Sequence, residues 1–238
     1  SDGLVVSYAR LHQRVRDQAG VRNGQKQNRS LCQIALRHID LEAECEMILR
    51  KLLWGVNAVL HAPFFKQIRF PSYVGPLVSA EGLKNVTIGR RTRIYPGLRI
   101  ETHGGGTIRI GEDVSVGQNF HITSGGDELV IGAHTTISGN VFITNIDHEY
   151  REIDRHIMEQ KFLISHTAVG ENCFIGYGAA IQAGTVLGRQ CIVGANSVVR
   201  GIFPDYCVIV GAPARIVKRY DPERAGWYKT NPQGEFIS

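Results

Sequence analysis

The chain has 238 residues, 27 of them glycine, with 27 Lys and Arg against 22 Asp and Glu for a formal net charge of +5. Glycine stands above the roughly 7% of ordinary globular proteins, but no Gly-X-Y period accompanies it, which excludes collagen. The 5 cysteines show neither disulfide nor zinc-finger spacing, which points to a reducing compartment, and no stretch reads as a signal peptide or as an apolar span of about 18 residues.

Residues 1–30 are polar and weakly patterned, with cations at Arg10, Arg14, Arg16, Arg22, Lys26 and Arg29. They read as a solvated arm, or as an attraction to an anionic ligand or membrane surface. Nucleic acid is not expected as a partner, because no reading helix, RNP motif or aromatic platform accompanies the charge. Residues 31–60 carry apolar side chains at intervals of three and four (Leu31, Ile34, Ala35, Ile39, Leu41, Met47, Ile48, Leu52, Leu53), which predicts a helix. From Leu52 to Phe65 the pattern is apolar nearly all round, with Trp54, Phe64 and Phe65. Packing on the following domain or on a neighbouring subunit explains this, and a peripheral membrane contact through 52–65 is the alternative.

From residue 169 to 204 the chain repeats every six residues: VGENCF, IGYGAA, IQAGTV, LGRQCI, VGANSV, VRGIFP. The openers are Val169, Ile175, Ile181, Leu187, Val193 and Val199. A period of six fits neither a 3.6-residue helix nor a two-residue alternation. It fits a triangular coil in which each side sends one aliphatic side chain inward, and such coils bury their core only when stacked. Earlier openers are Ile88, Ile94, Ile100, then Ile110, Val116, Ile122, then Ile131, Ile137, Ile143, with corner insertions at Gly104-Gly105-Gly106 and Gly125-Gly126-Asp127. The predicted fold class is an all-β solenoid over 77–220, preceded by a largely helical extension over 1–76 and followed by a polar tail over 221–238 that, with Trp227 and Tyr228, caps it or crosses onto a partner subunit. Between Ile146 and Phe162 no hexad is readable. This reads as a loop thrown out near 145–162, and repeat proteins often bind on the face that carries their insertions.

The hexads, the loop with its histidine and the closing VGANSVV…FPDYCVIVGAPARIVKRY resemble the hexapeptide-repeat acetyltransferases. The nearest branch is similar to the bacterial polysaccharide O-acetyltransferases and the galactoside and maltose acetyltransferases. The resemblance covers about 77–220. It implies a left-handed parallel β-helix, a homotrimer with sites between subunits, acetyl-CoA as co-substrate, no metal requirement, and a carbohydrate acceptor.

The resemblance makes His148, in Asn145-Ile146-Asp147-His148-Glu149, the catalytic histidine. The chemistry agrees independently. A sugar hydroxyl attacks a thioester poorly until its proton is removed, and an imidazole can take that proton near neutral pH. Asp147, Glu149 or a backbone carbonyl would orient the ring. Asn119, beside Phe120, matches the family's active-site asparagine and would hold the acceptor or the oxyanion. Without that likeness it reads as a corner residue closing its own backbone bonds. His121, Asp147 and Glu149 are acceptor-site candidates. Phe174, Gly176, Tyr177 and Ala195 resemble the wall of the CoA channel, Phe174 standing where many relatives carry tryptophan. Arg200, Arg215 and Lys218 are expected at the CoA phosphates.

The expected activity is O-acetylation of a sugar hydroxyl in a bacterial surface polysaccharide or its precursor, with N-acetylation of an amino sugar as the alternative. A γ-type carbonic anhydrase would need three histidines on one metal. The candidates are His103, His121, His134, His148, His156 and His166, and they lack that spacing. A scaffold would not need the histidine-bearing loop, and a serine acetyltransferase usually brings a larger helical domain than 1–76. The expected location is the cytoplasm, including the inner face of the membrane.

Overall fold

A computed structural model describes residues 45–231 and 233–237. Two compact units divide the chain, Ser1–Arg50 and Lys51–Ser238. Residues 45–61 are helical, as the sequence pattern predicts; the rest of the expected helix, 31–44, and the cations of residues 1–30 lie outside the described residues.

Lys51–Ser238 holds a triangular solenoid built from three sheets, parallel throughout except for the last strands of face B. Face A has 7 strands from Gln67–Ile68 to Ile202–Phe203, face B has 9 from Tyr73–Val74 to Gly226–Lys229, and face C has 6 from Leu77–Glu81 to Val198–Val199. Most strands are two to four residues long, because six residues must supply both a side and a corner. Every predicted opener is buried at 2% exposure or less. On face A, Ile88, Ile110, Ile131, Val169 and Leu187 stack in register; Ile94, Val116, Ile137, Ile175 and Val193 do so on face B, and Ile100, Ile122, Ile143, Ile181 and Val199 on face C. The core is thus three aliphatic ladders meeting on one axis.

The buried cysteines belong to a ladder of small residues at the corner before face B. Thr92 Oγ1 donates to the Gly111 carbonyl at 2.8 Å and Thr135 Oγ1 to Gly170 at 3.0 Å. Cys173 Sγ continues to Gly188 at 3.2 Å and Cys191 Sγ to Pro204 at 3.3 Å. Each side chain ties its coil to the next, which absorbs these thiols into the scaffold.

Two boundaries differ from expectation. The solenoid starts with Gln67–Ile68, ahead of residue 77, and Tyr73–Val74 already belongs to face B. The boundary at 220 falls inside a strand, and the tail beyond it caps the last coil: Ala214–Asp221 pairs antiparallel with Cys207–Gly211, and Gly226–Lys229 pairs antiparallel with Ala214–Asp221. Trp227 packs on Tyr220 with ring centroids 5.8 Å apart, so the end of the chain widens face B.

Candidate active site

Side chains alternate sides along a strand, so the inward isoleucines of face C fix which of their neighbours point out. Arg99, His121 and Phe142 form one outward row and Glu101, Thr123 and Thr144 the next. Arg99 Nε donates to Glu101 Oε1 at 2.8 Å, and Ser79 Oγ donates to the same oxygen at 2.8 Å. The Arg99 bond, aided by that of Ser79, holds the Glu101 carboxyl below the usual carboxylate range despite its burial. His121 Nε2 lies 3.0 Å from Thr123 Oγ1, and its ring sits 4.9 Å from that of Phe142. Burial pushes the His121 imidazole pKa down, Arg99 adds to the shift, and Glu101 opposes it.

The predicted excursion is a hairpin arm. Ile146–His148 pairs antiparallel with Phe162–Ile164, placing His148 opposite Phe162. Asn145, fully buried, anchors the base. Its Oδ1 accepts from the Gly125 N–H at 2.8 Å, and its Nδ2 donates to the Gly125 carbonyl at 3.0 Å and to Ser124 Oγ at 3.2 Å. Its own carbonyl accepts from the Ser165 N–H at 2.9 Å, so one residue grips both legs. The legs cross Gly125 so closely that a Cβ there would lie 3.0 Å from the Cδ1 atoms of Ile146 and Ile164. At the tip Gln160, 6% exposed, bonds the Glu152 N–H and the carbonyls of Glu152 and Arg155.

His148 projects from this arm, exposed, with its ring edge-on to Phe162 at 5.0 Å and 83°. The Phe162 ring also contacts His103, at 6.4 Å, and His103 Nε2 stands 3.9 Å from Glu101 Oε2. A continuous row therefore runs from His148 through Phe162 and His103 to the polar rows of face C. Among the described residues His148 makes no side-chain hydrogen bond, which leaves its imidazole open to a ligand.

The expected orienting carboxylates are engaged elsewhere. Asp147 accepts from Arg200 Nη2 at 2.7 Å. Glu149 accepts from the N–H groups of Tyr150 and Arg151 at 3.0 and 3.2 Å, which lowers its pKa. Neither bonds His148, because each points back into its own segment or onto face C. Arg200, expected at the CoA phosphates, comes from the end of a face C strand and pairs there with Asp147 on the hairpin.

Asn119 sits at the corner between faces B and C, exposed, with φ 55°. Its N–H bonds the Pro96 carbonyl at 3.0 Å, and its carboxamide lies over Gly97 where that residue lacks a Cβ. Asn196 stands over Gly178 in the same way, also with positive φ. The hairpin leaves the solenoid at the other edge of face C, between faces C and A, so one chain does not bring Asn119 and His148 together. On the B–C edge, however, Gly176, Tyr177 and Ala195 do come together beside Phe174. Gly176 is overlaid so tightly that a Cβ would meet Ala195 N at 2.6 Å. The Tyr177 hydroxyl accepts from Asn140 Nδ2. Phe174 and Tyr177 are 41% and 49% exposed. Arg215 and Lys218 are exposed on Ala214–Asp221, the strand that widens face B.

The sequence did not single out Arg99, Glu101, Phe142, Asn145 or Phe162. Asn145 carried the one usable signal, a polar residue where the hexad breaks. Other histidines have separate partners: His134 Nδ1 is 3.4 Å from Asp113 and His166 Nδ1 3.0 Å from Asp127.

Comparison with known proteins gives a consistent picture. Residues 166–200 match the family model described as the hexapeptide repeat of succinyl-transferase. A lipopolysaccharide biosynthesis O-acetyl transferase so named in Escherichia coli K12, WbbJ, is 35% identical over 68% of this chain and 83% of its own length. A Mycobacterium tuberculosis protein named as an acetyltransferase, Rv3034c, is 34% identical over 57% of this chain, which spans 45% of that protein. Among solved structures, a mutant of AntD, an N-acyltransferase from Bacillus cereus, in complex with dTDP and coenzyme A matches with a TM-score of 0.58 at 16% identity. It covers 69% of this chain and 89% of its own and shares the fold.

Proposed function

The chain belongs to the hexapeptide-repeat acetyltransferases, and from that premise we propose that it transfers an acetyl group from acetyl-CoA to a hydroxyl of a carbohydrate destined for a bacterial surface polysaccharide. The observation that carries the reading is His148: exposed, without a side-chain hydrogen bond among the described residues, and held on a hairpin anchored by the buried Asn145. In this reading the imidazole takes the acceptor's proton as the oxygen attacks the thioester carbonyl, and the thiolate of CoA leaves. The relative that names lipopolysaccharide biosynthesis and O-acetyl transfer supports this choice of acceptor.

We further propose that the reactive complex is a homotrimer. His148 and the Phe174–Ala195 group lie at opposite edges of face C. Flat faces of neighbouring prisms set side by side would bring one copy's hairpin to another copy's B–C edge. The pantetheine arm would run along Phe174, Gly176, Tyr177 and Ala195 toward Arg215 and Lys218. Asn119, on that same edge, would reach a neighbour's His148.

The test is transfer to a panel of sugars, scored by release of the CoA thiol and by treating the purified product with alkaline hydroxylamine. An ester is cleaved and an amide survives, so the treatment separates O- from N-acetylation, the latter being the outcome for an amino-sugar acceptor. His148→Ala should lower kcat by about 10²–10⁴ and leave acetyl-CoA binding unchanged. A variant as fast as the wild type would remove the histidine from the reaction.

A further inference from the structure

The helix that precedes the first coil faces the wrong way for a water-exposed cap. Asn57 Nδ2 donates to the carbonyls of Val74 and Gly75 at 2.9 and 3.3 Å, Ala58 is fully buried, and the Trp54 ring packs on Tyr73 and Tyr95 at 5.7 and 5.3 Å. These contacts fix the inward side. The outward side is Leu52, Leu53, Val56, Val59, Leu60 and Phe64, each 57–65% exposed. A surface helix normally puts charge there, and a contiguous apolar patch of this kind marks an interaction surface. An open groove of about 910 Å³ runs alongside, lined by the helix, Phe70 and the first coil, with Lys51, Arg91 and Arg93 on its walls.

The charge around this patch is one-sided. From Met47 through Ala80 the sequence contains no Asp or Glu, and between Glu46 and Glu101 the sole acid is Glu81. The same stretch carries Arg50, Lys51, Lys66, Arg69, Lys84, Arg90, Arg91, Arg93 and Arg99. Arg50 pairs with Glu46, Arg93 with Asp113 and Arg99 with Glu101; Lys51, Lys66, Arg90 and Arg91 form no ion pair among the described residues. A second copy docked patch to patch would bring like charges together. An anionic lipid surface offers an apolar interior to the leucines and phosphates to the cations, the pairing that holds an interfacial helix. No helix among the described residues is long and apolar enough to cross a membrane, so the contact would be peripheral.

We propose that the outward face of this helix, with the cations beside it, docks the enzyme on an anionic phospholipid bilayer. The test is flotation of the full chain with vesicles of pure phosphatidylcholine and with vesicles containing 30% phosphatidylglycerol as the probe, an amount of roughly the anionic content that such cationic patches read. Wild type should float with the anionic vesicles and stay behind with the neutral ones. The variant Leu52→Glu/Val56→Glu/Leu60→Glu and the variant Lys51→Glu/Arg91→Glu should each bind at least about tenfold more weakly. Both should keep the wild-type circular dichroism spectrum and the wild-type rate on a sugar free in solution, which separates this proposal from the catalytic one. Equal flotation with both vesicle types, no flotation at all, or unchanged binding by either variant would overturn it. So would a change in oligomeric mass on introducing the three glutamates, since the face would then be covered by another copy.

Discussion

Asn145→Ala probes the joint between scaffold and chemistry. The substitution deletes three side-chain bonds, from the Gly125 N–H and to the Gly125 carbonyl and Ser124 Oγ. The losses are unequal. Ser124 Oγ keeps its bond to the Asp127 carbonyl at 2.9 Å, and the Gly125 carbonyl keeps the Asp127 N–H. Only the Gly125 N–H is left buried without a partner, which costs about 1–3 kcal/mol, and the two partly compensated bonds add about 0.5–1 kcal/mol each. The expected destabilisation is therefore about 2–5 kcal/mol, or roughly 4–20 °C in Tm for a chain of this size. Because stacked coils can open locally, amide exchange at Gly125 and Ser165 is the sharper readout and should accelerate before global unfolding. The loosened hairpin should also lower kcat by about 10–10² through misplacement of His148, with KM for acetyl-CoA unchanged. A Tm within 1 °C of wild type (about 0.3 kcal/mol), together with unchanged exchange at both amides, would refute the reasoning.

Three further outcomes are expected. Arg200→Ala removes a pair whose side chains are 57% and 36% exposed, so stability should change by less than about 1 kcal/mol; kcat should fall and KM for acetyl-CoA should hold, whereas a rise in that KM alone would return Arg200 to the cofactor phosphates. Ala195→Tyr should fill the B–C edge and raise KM for acetyl-CoA strongly while light scattering still finds the wild-type assembly; an unaltered KM would move the channel elsewhere. The His121 ring should titrate in an NMR experiment below the ordinary value of about 6.5, because burial disfavours its charged form. Its folded pKa then lies below its unfolded one, so its contribution to stability is complete above the unfolded value and is lost as pH falls toward the folded one. A midpoint above 6.5 would mean that Glu101 outweighs burial.

The fold was legible because inward positions obey a strict rule. Each opener must be aliphatic and must recur at a fixed spacing, and all of those named from the sequence are buried. The rule weakens where a coil departs from six residues per side. In the first coil the face C strand shifts register between Leu77 and Ser79, and its residue opposite Ile100 is Ala80, too small to announce a core position. That hid the start at Gln67. At the other end the strands run antiparallel, so the six-residue period no longer applies and the segment read as a tail.

The site was less legible because outward positions carry no such rule. Arg99, His121 and Phe142 sit in one row only because the coils stack in register, a fact that needs the corner insertions counted correctly. Phe162 touches His148 only through the hairpin's antiparallel register. The two asparagines show the limit most clearly. Asn119 takes its positive φ at a corner, and corners favour asparagine for backbone reasons alone, as Asn140, Asn172 and Asn196 illustrate. Its conformation therefore needs no chemistry to explain it, and only a neighbouring copy could give it a catalytic partner. Asn145 has no comparable backbone reason. It is fully buried, and its side chain serves the chain on either side of the hairpin's exit. A solenoid that throws out an arm must replace the ladder bonds lost where the arm departs, and a carboxamide is a compact group that both accepts from and donates to a peptide. The same substitution at the two positions should thus separate them: Asn145→Ala acts on folding and through it on rate, whereas Asn119→Ala should leave Tm nearly unchanged and affect kcat only when the enzyme is assembled. A series of activity measurements across the dissociation range, with wild type and Asn119→Ala converging at low concentration, would distinguish an inter-subunit role from a corner residue. Parallel curves of equal height would leave Asn119 to the backbone.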